Sequence, residues 1–155
     1  MDLNDIKAVY FIGIGGIGMS AIARYFLSKE TPVGGYDKTP SVLTERLKAE
    51  GAKVQYDDDP DEISSEFKNP RNTLVVYTPA IPADNKVLGY FKNMAYDVVK
   101  RAQVLGALTR AYRGLCVAGT HGKTTTSTMA AHIIHQSHVG CNAFLGGISK
   151  NYGTN

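Results

Sequence analysis

Two short glycine-rich segments, Gly13-Ile14-Gly15-Gly16-Ile17-Gly18 and Gly119-Thr120-His121-Gly122-Lys123-Thr124, each stand between an apolar run of strand character and a run with helical spacing. This context limits the fold more than any other feature. A strand, a glycine turn and a helix in succession bring free backbone amides and a helix N-terminus to one point, which makes an anion site. A chain with two such points is organised to hold two phosphorylated ligands.

The rest of the chain supplies the frame for these loops. Ala8-Val9-Tyr10-Phe11-Ile12 is a continuous apolar run of the kind found in a strand buried on both faces. A helix is predicted over 19–27, then a strand over 32–36 and a helix over 41–50 capped by Ser41 or Thr39. Strands over 53–56 and 73–77 and a helix over 85–92 continue the alternation. This order predicts an α/β fold, a doubly wound, Rossmann-like parallel sheet with right-handed crossovers. Residues 98–112 read as a helix carrying Lys100, Arg101 and Arg110, and 114–118 as a fresh strand feeding the second loop. A helix over 124–135 and a short apolar run over 142–145 close the chain before Gly146-Gly147. The predicted division is a Rossmann-like domain over 1–108 and the opening part of a P-loop ATPase domain over 109–155. The stretch after the second loop is too short to finish such a domain, so the sequence reads as a piece of a longer protein.

Composition narrows the partners. With 43% hydrophobic and 20% charged residues and a formal net charge of +3, the chain is an ordinary globular sequence with no polybasic run. Nucleic acid is not an expected partner. The opening Met1-Asp2-Leu3-Asn4-Asp5 is acidic where a signal peptide would be basic, and no apolar run reaches membrane-spanning length. A cytoplasmic protein with no membrane partner is expected. Cys116 and Cys141 lack any metal-ligand spacing and are predicted to be buried free thiols. Asp57-Asp58-Asp59-Pro60-Asp61-Glu62 is read as a solvated loop rather than a metal site, and His132, His135 and His138 as helix-face residues without a companion carboxylate.

The two loops predict different chemistry. In the first, Gly13 allows the tight turn, Gly15 lets a pyrophosphate approach the backbone, and Gly18 permits close packing of helix and strand. Asp37, at the end of the second strand, stands where such folds set an acid against a ribose hydroxyl. In the second, loop amides would wrap phosphates, Lys123 would neutralise the terminal ones, and Thr124 would hold Mg²⁺. The strict phosphate-loop pattern fails at Val117, where a glycine would stand, while an extra glycine occurs at Gly119. His121, inside this loop, is a candidate ligand contact.

Taken together, Gly13 to Gly18 with Met19-Ser20, and Gly119 to Thr124 with Thr125-Thr126, closely resemble the Mur ligases of peptidoglycan synthesis. Thr78-Pro79-Ala80-Ile81 looks like that family's Ser-Ser-Ala-Ile turn, and Lys100-Arg101-Ala102 like its Arg-Arg-Ala helix start. Gly146-Gly147 and the residues 151–155 are also similar. The resemblance implies a three-domain, ATP-dependent enzyme in which a substrate carboxylate is phosphorylated and an amine attacks the acyl phosphate, releasing ADP and phosphate. The extra Gly16 favours the member that uses UDP-N-acetylmuramate and L-alanine.

On this resemblance Gly13, Gly15, Gly16, Gly18, Met19, Ser20, Asp37, Thr78, Ala80 and His121 would bind the UDP substrate. Gly119, Thr120, His121, Gly122, Lys123, Thr124 and Thr125 would bind ATP, with Lys123 catalytic and Thr124 a Mg²⁺ ligand. Thr78-Pro79 departs from the family serines. The family's acidic Mg²⁺ ligand and its L-alanine site would lie beyond Asn155, so this piece alone is not expected to turn over. Two rival readings remain open: a dinucleotide-dependent oxidoreductase, which leaves Gly122-Lys123-Thr124 unexplained, and a non-catalytic nucleotide-sensing module. The oligomeric state is open; uncovered apolar faces at 115–117 and 143–145 would favour self-association.

Overall fold

The structure, a computed structural model, describes residues 6–155. The acidic opening Met1–Asp5 therefore lies outside the described residues. Strand β1 (Ala8–Ile12) is buried along its whole length, as its unbroken apolar run requires. It is the centre of a five-stranded sheet of order β3-β2-β1-β4-β5, with β2 at Val33–Tyr36, β3 at Lys53–Gln55, β4 at Thr73–Tyr77 and β5 at Asp97–Lys100. Every pairing is parallel. The strand order reverses between β1 and β4, the point at which open parallel sheets bind their ligands.

Alternation along β1 divides the core. Val9 and Phe11 point to one face, where they pack with α1 (Ile17–Leu27), Leu47 of α2 (Val42–Ala49) and Val104 and Leu108 of α4 (Arg101–Ala111). Ala8, Tyr10 and Ile12 point to the other, against Val87, Leu88 and Phe91 of α3 (Lys86–Asn93) and the ring of Phe67. The last helix, α5 (Lys123–Gln136), has no buried residue.

Helix starts follow the short polar residues. Ser41 caps α2 and closes a reciprocal pair with Thr44, and the side chain of Asn85 accepts from Leu88 N at 2.8 Å to cap α3. The acidic run is only in part the solvated loop expected of it. Asp58 accepts from Lys86 N, Val87 N and Asn85 Nδ2 at 2.8–3.0 Å, placing a carboxylate at the N-terminus of α3, where the helix dipole favours it. Asp59 caps a short 3₁₀ turn over Pro60–Glu62.

Three other expectations are corrected. The predicted helix over 98–112 is two elements: Val98 and Val99 pair with Val75 and Val76 as part of β5, and the helix begins only at Arg101. The predicted strand over 114–118 is irregular and its Leu115 is 69% exposed, because no neighbouring strand is present among the described residues to complete its hydrogen bonds. Both cysteines are exposed, Cys116 because it lies in that unpaired segment and Cys141 because it follows the open end of α5. The apolar run over 142–145 is irregular, with Leu145 buried and Phe144 packed on the first core cluster, its ring 6.0 Å from that of Tyr25.

Gly34 in β2 shows how closely the second face is packed. A Cβ there would stand 2.5 Å from Phe67 Cε2, with the neighbouring ring atoms scarcely farther away. Gly34→Ala is therefore expected to lower stability by about 1–3 kcal/mol through overpacking. Denaturant unfolding checks this, and the loss should shrink when Gly34→Ala is combined with Phe67→Leu. Burial also raises the tyrosine hydroxyls: Tyr10 well above its ordinary value, by desolvation and then by Glu62, and Tyr25 up to about 12, by desolvation and then by its bond to Tyr112. A folded value above the unfolded one means that this stability is full below the ordinary tyrosine value and is lost as pH rises beyond it. The melting temperature should fall through the alkaline range above about pH 10, and less steeply in Tyr10→Phe.

Candidate functional site

The first loop is shaped by the strand it leaves. Gly13 has φ +87°, a conformation that side chains oppose, and both Gly13 N and Ile14 N donate to Tyr36 O at 2.7 and 3.1 Å. Ile14 is then fully buried, which anchors the loop in the core. Gly16 N returns to Gly13 O at 3.2 Å, and Gly16 becomes the N-cap of α1 with no side-chain cap and no acid in the first turn. The N-terminus of α1 therefore presents its positive end with no protein carboxylate in its first turn.

Each missing side chain in this loop leaves room for a different neighbour. A Cβ on Gly13 would meet Ile81 Cδ1 at 3.1 Å and Thr78 Cγ2 at 3.3 Å, so the turn after β4 closes over the turn after β1. A Cβ on Gly15 would meet Asp37 Oδ2 at 2.8 Å. That carboxylate already accepts from Gly15 N at 2.7 Å, and its other oxygen accepts from Thr39 N at 3.2 Å. Gly18 makes space not for a strand, as the fingerprint suggested, but for Arg101, whose Nη1 would lie 3.0 Å from its Cβ. Sequence reasoning noted Arg101 only as a basic residue of a helix and as part of a helix start; its approach to Gly18 joins two elements remote in sequence, which no local pattern marks.

The structure brings Gly13, Gly15, Gly16, Gly18, Asp37 and Thr78 together at the β1–β4 crevice, with Ala80 exposed on the turn closed by Ile81 N to Thr78 O at 3.1 Å. Met19 and Ser20 are different. Met19 is buried in the core, and the Ser20 hydroxyl donates to Ile17 O at 3.1 Å and accepts from Asn155 Nδ2, so both side chains are already engaged.

The second loop is exposed. Gly119 and Gly122 have φ of +146° and +75°, and Gly122 is the N-cap of α5 without a side-chain cap. The Lys123 ammonium folds back to donate to Gly119 O at 2.5 Å and Thr120 O at 3.0 Å. Gly146 and Gly147 pack on Thr124, a Cβ on Gly146 coming 3.1 Å from Thr124 Oγ1. Thr120, His121 and Thr125 face solvent.

These groups fit a polyphosphate: uncapped amides at the start of a long helix, an ammonium inside the loop and a threonine hydroxyl beside it. Among the described residues no cluster of three His, Cys, Asp or Glu could hold a metal ion. Among the described residues Thr124 would offer a Mg²⁺ here its protein oxygen, beside phosphate and water, a mode suited to the ion's reluctance to dehydrate. Among the described residues no helix is long and apolar enough to cross a membrane. The histidines of α5 serve the tail of the chain: His132 Nδ1 lies 2.7 Å from Tyr152 Oη, and His135 meets the same ring edge-on.

Comparison with known proteins agrees with this fold. The UDP-N-acetylmuramate–L-alanine ligase of Phocaeicola vulgatus is 65% identical over all 155 residues, and the namesake from Cytophaga hutchinsonii is 56% identical over the same length. The chain spans about a third of the length of these curated relatives, 34% and 33%. Among solved structures, UDP-N-acetylmuramate-alanine ligase from Thermotoga maritima superposes with a TM-score of 0.83 at 30% identity, over 96% of this chain and 34% of that one. UDP-N-acetylmuramate:L-alanyl-gamma-D-glutamyl-meso-diaminopimelate ligase from Neisseria meningitides gives the same TM-score of 0.83 at 27% identity, over 96% and 45%. The family described as "Mur ligase family, catalytic domain" matches residues 8–113. With its crevice at the strand-order reversal and its two glycine-led helix starts, the chain belongs to the Mur ligase family.

Proposed function

We propose that this chain is the nucleotide-sugar-binding domain, with the opening of the ATP-binding domain, of a ligase that joins L-alanine to the carboxylate of UDP-N-acetylmuramate. The observation that carries this reading is the pair of glycine-led helix starts, each without a side-chain cap, in one chain. A dinucleotide-dependent oxidoreductase would use only the first. The names of the relatives matched over the whole chain support the choice of substrate.

In this reading the N-terminal amides of α1 hold the UDP pyrophosphate, while Thr78 and Ala80 border it from the neighbouring turn. The second loop holds the phosphates of ATP. Lys123 leaves its two loop carbonyls to meet the terminal phosphate, and Thr124 offers its hydroxyl to Mg²⁺. Bound ATP supplies the phosphoryl group that activates the substrate carboxylate. The protein's task is to hold that carboxylate and the phosphate chain in register and to offset negative charge. His121, exposed in the second loop, is a candidate contact for the bound ligands. The junction between the two parts is placed near Leu108, in the last turns of α4. A cytoplasmic location follows from the use of ATP and a UDP-sugar.

Calorimetric titration tests the assignment. Saturable binding of UDP-N-acetylmuramate with no binding of NAD⁺ is expected, and binding of NAD⁺ alone would overturn the reading. Lys123→Ala should weaken ATP·Mg²⁺ by about 10- to 100-fold, the scale of one charged hydrogen bond, and leave the UDP-sugar affinity unchanged. The chain by itself should release no phosphate from ATP in the presence of both substrates. A phosphate-release assay that shows turnover dependent on both would sink that expectation.

A further inference from the structure

Arg101 opens α4 immediately after β5, and its guanidinium lies over the first turn of α1, with Nη1 3.0 Å and Cζ 3.4 Å from the Cβ position of Gly18. It is half-buried, and among the described residues it forms no ion pair and its side chain makes no hydrogen bond. A cation against a helix N-terminus stands on the wrong side of the helix dipole. Here the turn also lacks a capping side chain and an acidic residue. Two sources of positive potential thus meet at Gly18 with no protein anion between them.

At the other end of the loop the sign is reversed. Asp37 holds its carboxylate 2.7 Å from Gly15 N. In the order β3-β2-β1-β4-β5, Asp37 follows β2 and Arg101 follows β5, so the two charges flank the β1 loop from opposite sides. A nucleotide diphosphate lying along this gradient has one favourable direction, with its hydroxyl-rich nucleoside beside Asp37 and its phosphates beside Arg101.

We infer that Arg101 is a direct ligand of the phosphate chain of the nucleotide-sugar and, with Asp37, fixes the direction in which it lies. This rests on the reading of the first loop as the UDP-sugar site. The planar guanidinium can donate two parallel hydrogen bonds to phosphate oxygens, which an ammonium cannot match. The absence of a side chain at Gly18 leaves the guanidinium room to lie there, so that glycine serves ligand selection as well as packing.

The test compares UDP and uridine on the parent chain and on Arg101→Ala, by calorimetry for UDP and by NMR shift titration for uridine. UDP should weaken by about 10- to 100-fold, the scale of one charge-assisted contact, while uridine affinity stays the same. Arg101→Lys should recover part of the loss. Unchanged UDP affinity in Arg101→Ala would overturn the inference and leave the UDP-sugar reading intact. An equal loss for UDP and uridine would also overturn it, by showing a structural role. A parent chain that binds neither UDP nor UDP-N-acetylmuramate would overturn both readings. Should Arg101→Ala not fold, Gly18→Ala provides the second variant: its methyl displaces the guanidinium and keeps the charge, and the same selective loss of UDP is expected.

Discussion

The carbonyl of Tyr36 receives two amides at once, from Gly13 and from Ile14, and this fixes how the chain leaves its central strand. β1 is buried on both faces and cannot itself carry a polar site. The chain must turn sharply at the C-terminal end of this strand, and the left-handed conformation of Gly13 allows it to do so while Ile14 re-enters the core. From that point Gly15 meets Asp37, Gly16 begins α1 and Gly18 receives Arg101. The geometry of the first loop is therefore set by the core. For the proposed ligand, a loop so fixed would carry little ordering cost on binding.

The second loop rests on weaker supports. Six residues of α1 are buried, whereas none of α5 is, so α5 gains little from the hydrophobic term that holds the sheet and its helices. Its loop is closed by Lys123 on the carbonyls of Gly119 and Thr120, contacts made within the loop itself. A phosphate that draws the ammonium away exchanges these for stronger charge-assisted bonds. The two loops share a sequence logic and differ in how much of their order comes from the rest of the protein. Segments with few buried contacts open at lower free energy, which suits the movement of Lys123 that the proposed function calls for.

What was legible in the sequence was whatever has a local cause. The strands over Ala8–Ile12 and Thr73–Tyr77 could be read because a buried parallel strand is a continuous apolar run, and the Ser41 cap because capping is decided within three residues. Val98 and Val99 were drawn into the following helix because a short edge strand leaves too few residues to establish a period, whereas the resemblance at Lys100-Arg101-Ala102 marked the true helix start. The segment over 114–118 has strand composition, but a strand also needs a partner. Asp58 at the start of α3 and Arg101 over Gly18 join residues remote in sequence, so no spacing rule could reveal them. The same holds for the site: the glycines were visible, and the reason for each lay in a neighbour from another element.

The tail of the chain shows why the two loops cannot be treated as independent pieces. Gly146 and Gly147 lie against Thr124 of the second loop, and a few residues later Tyr152 is held by His132 and His135 of α5. Gly153 O accepts from Arg46 of α2 at 2.5 Å, and Asn155 bonds Arg24, Ile17 O and the Ser20 hydroxyl on α1. The contacts run without a gap from the threonine assigned to Mg²⁺ to the first turns of the helix that opens the other loop. They are polar and partly buried, and among the described residues Arg24 Nη2, Ser149 Oγ and Thr154 Oγ1 have no hydrogen-bond partner. An apolar joint of the same area would bind the two parts more firmly. Each buried group left unpaired costs free energy, so the joint is weaker than its list of contacts suggests.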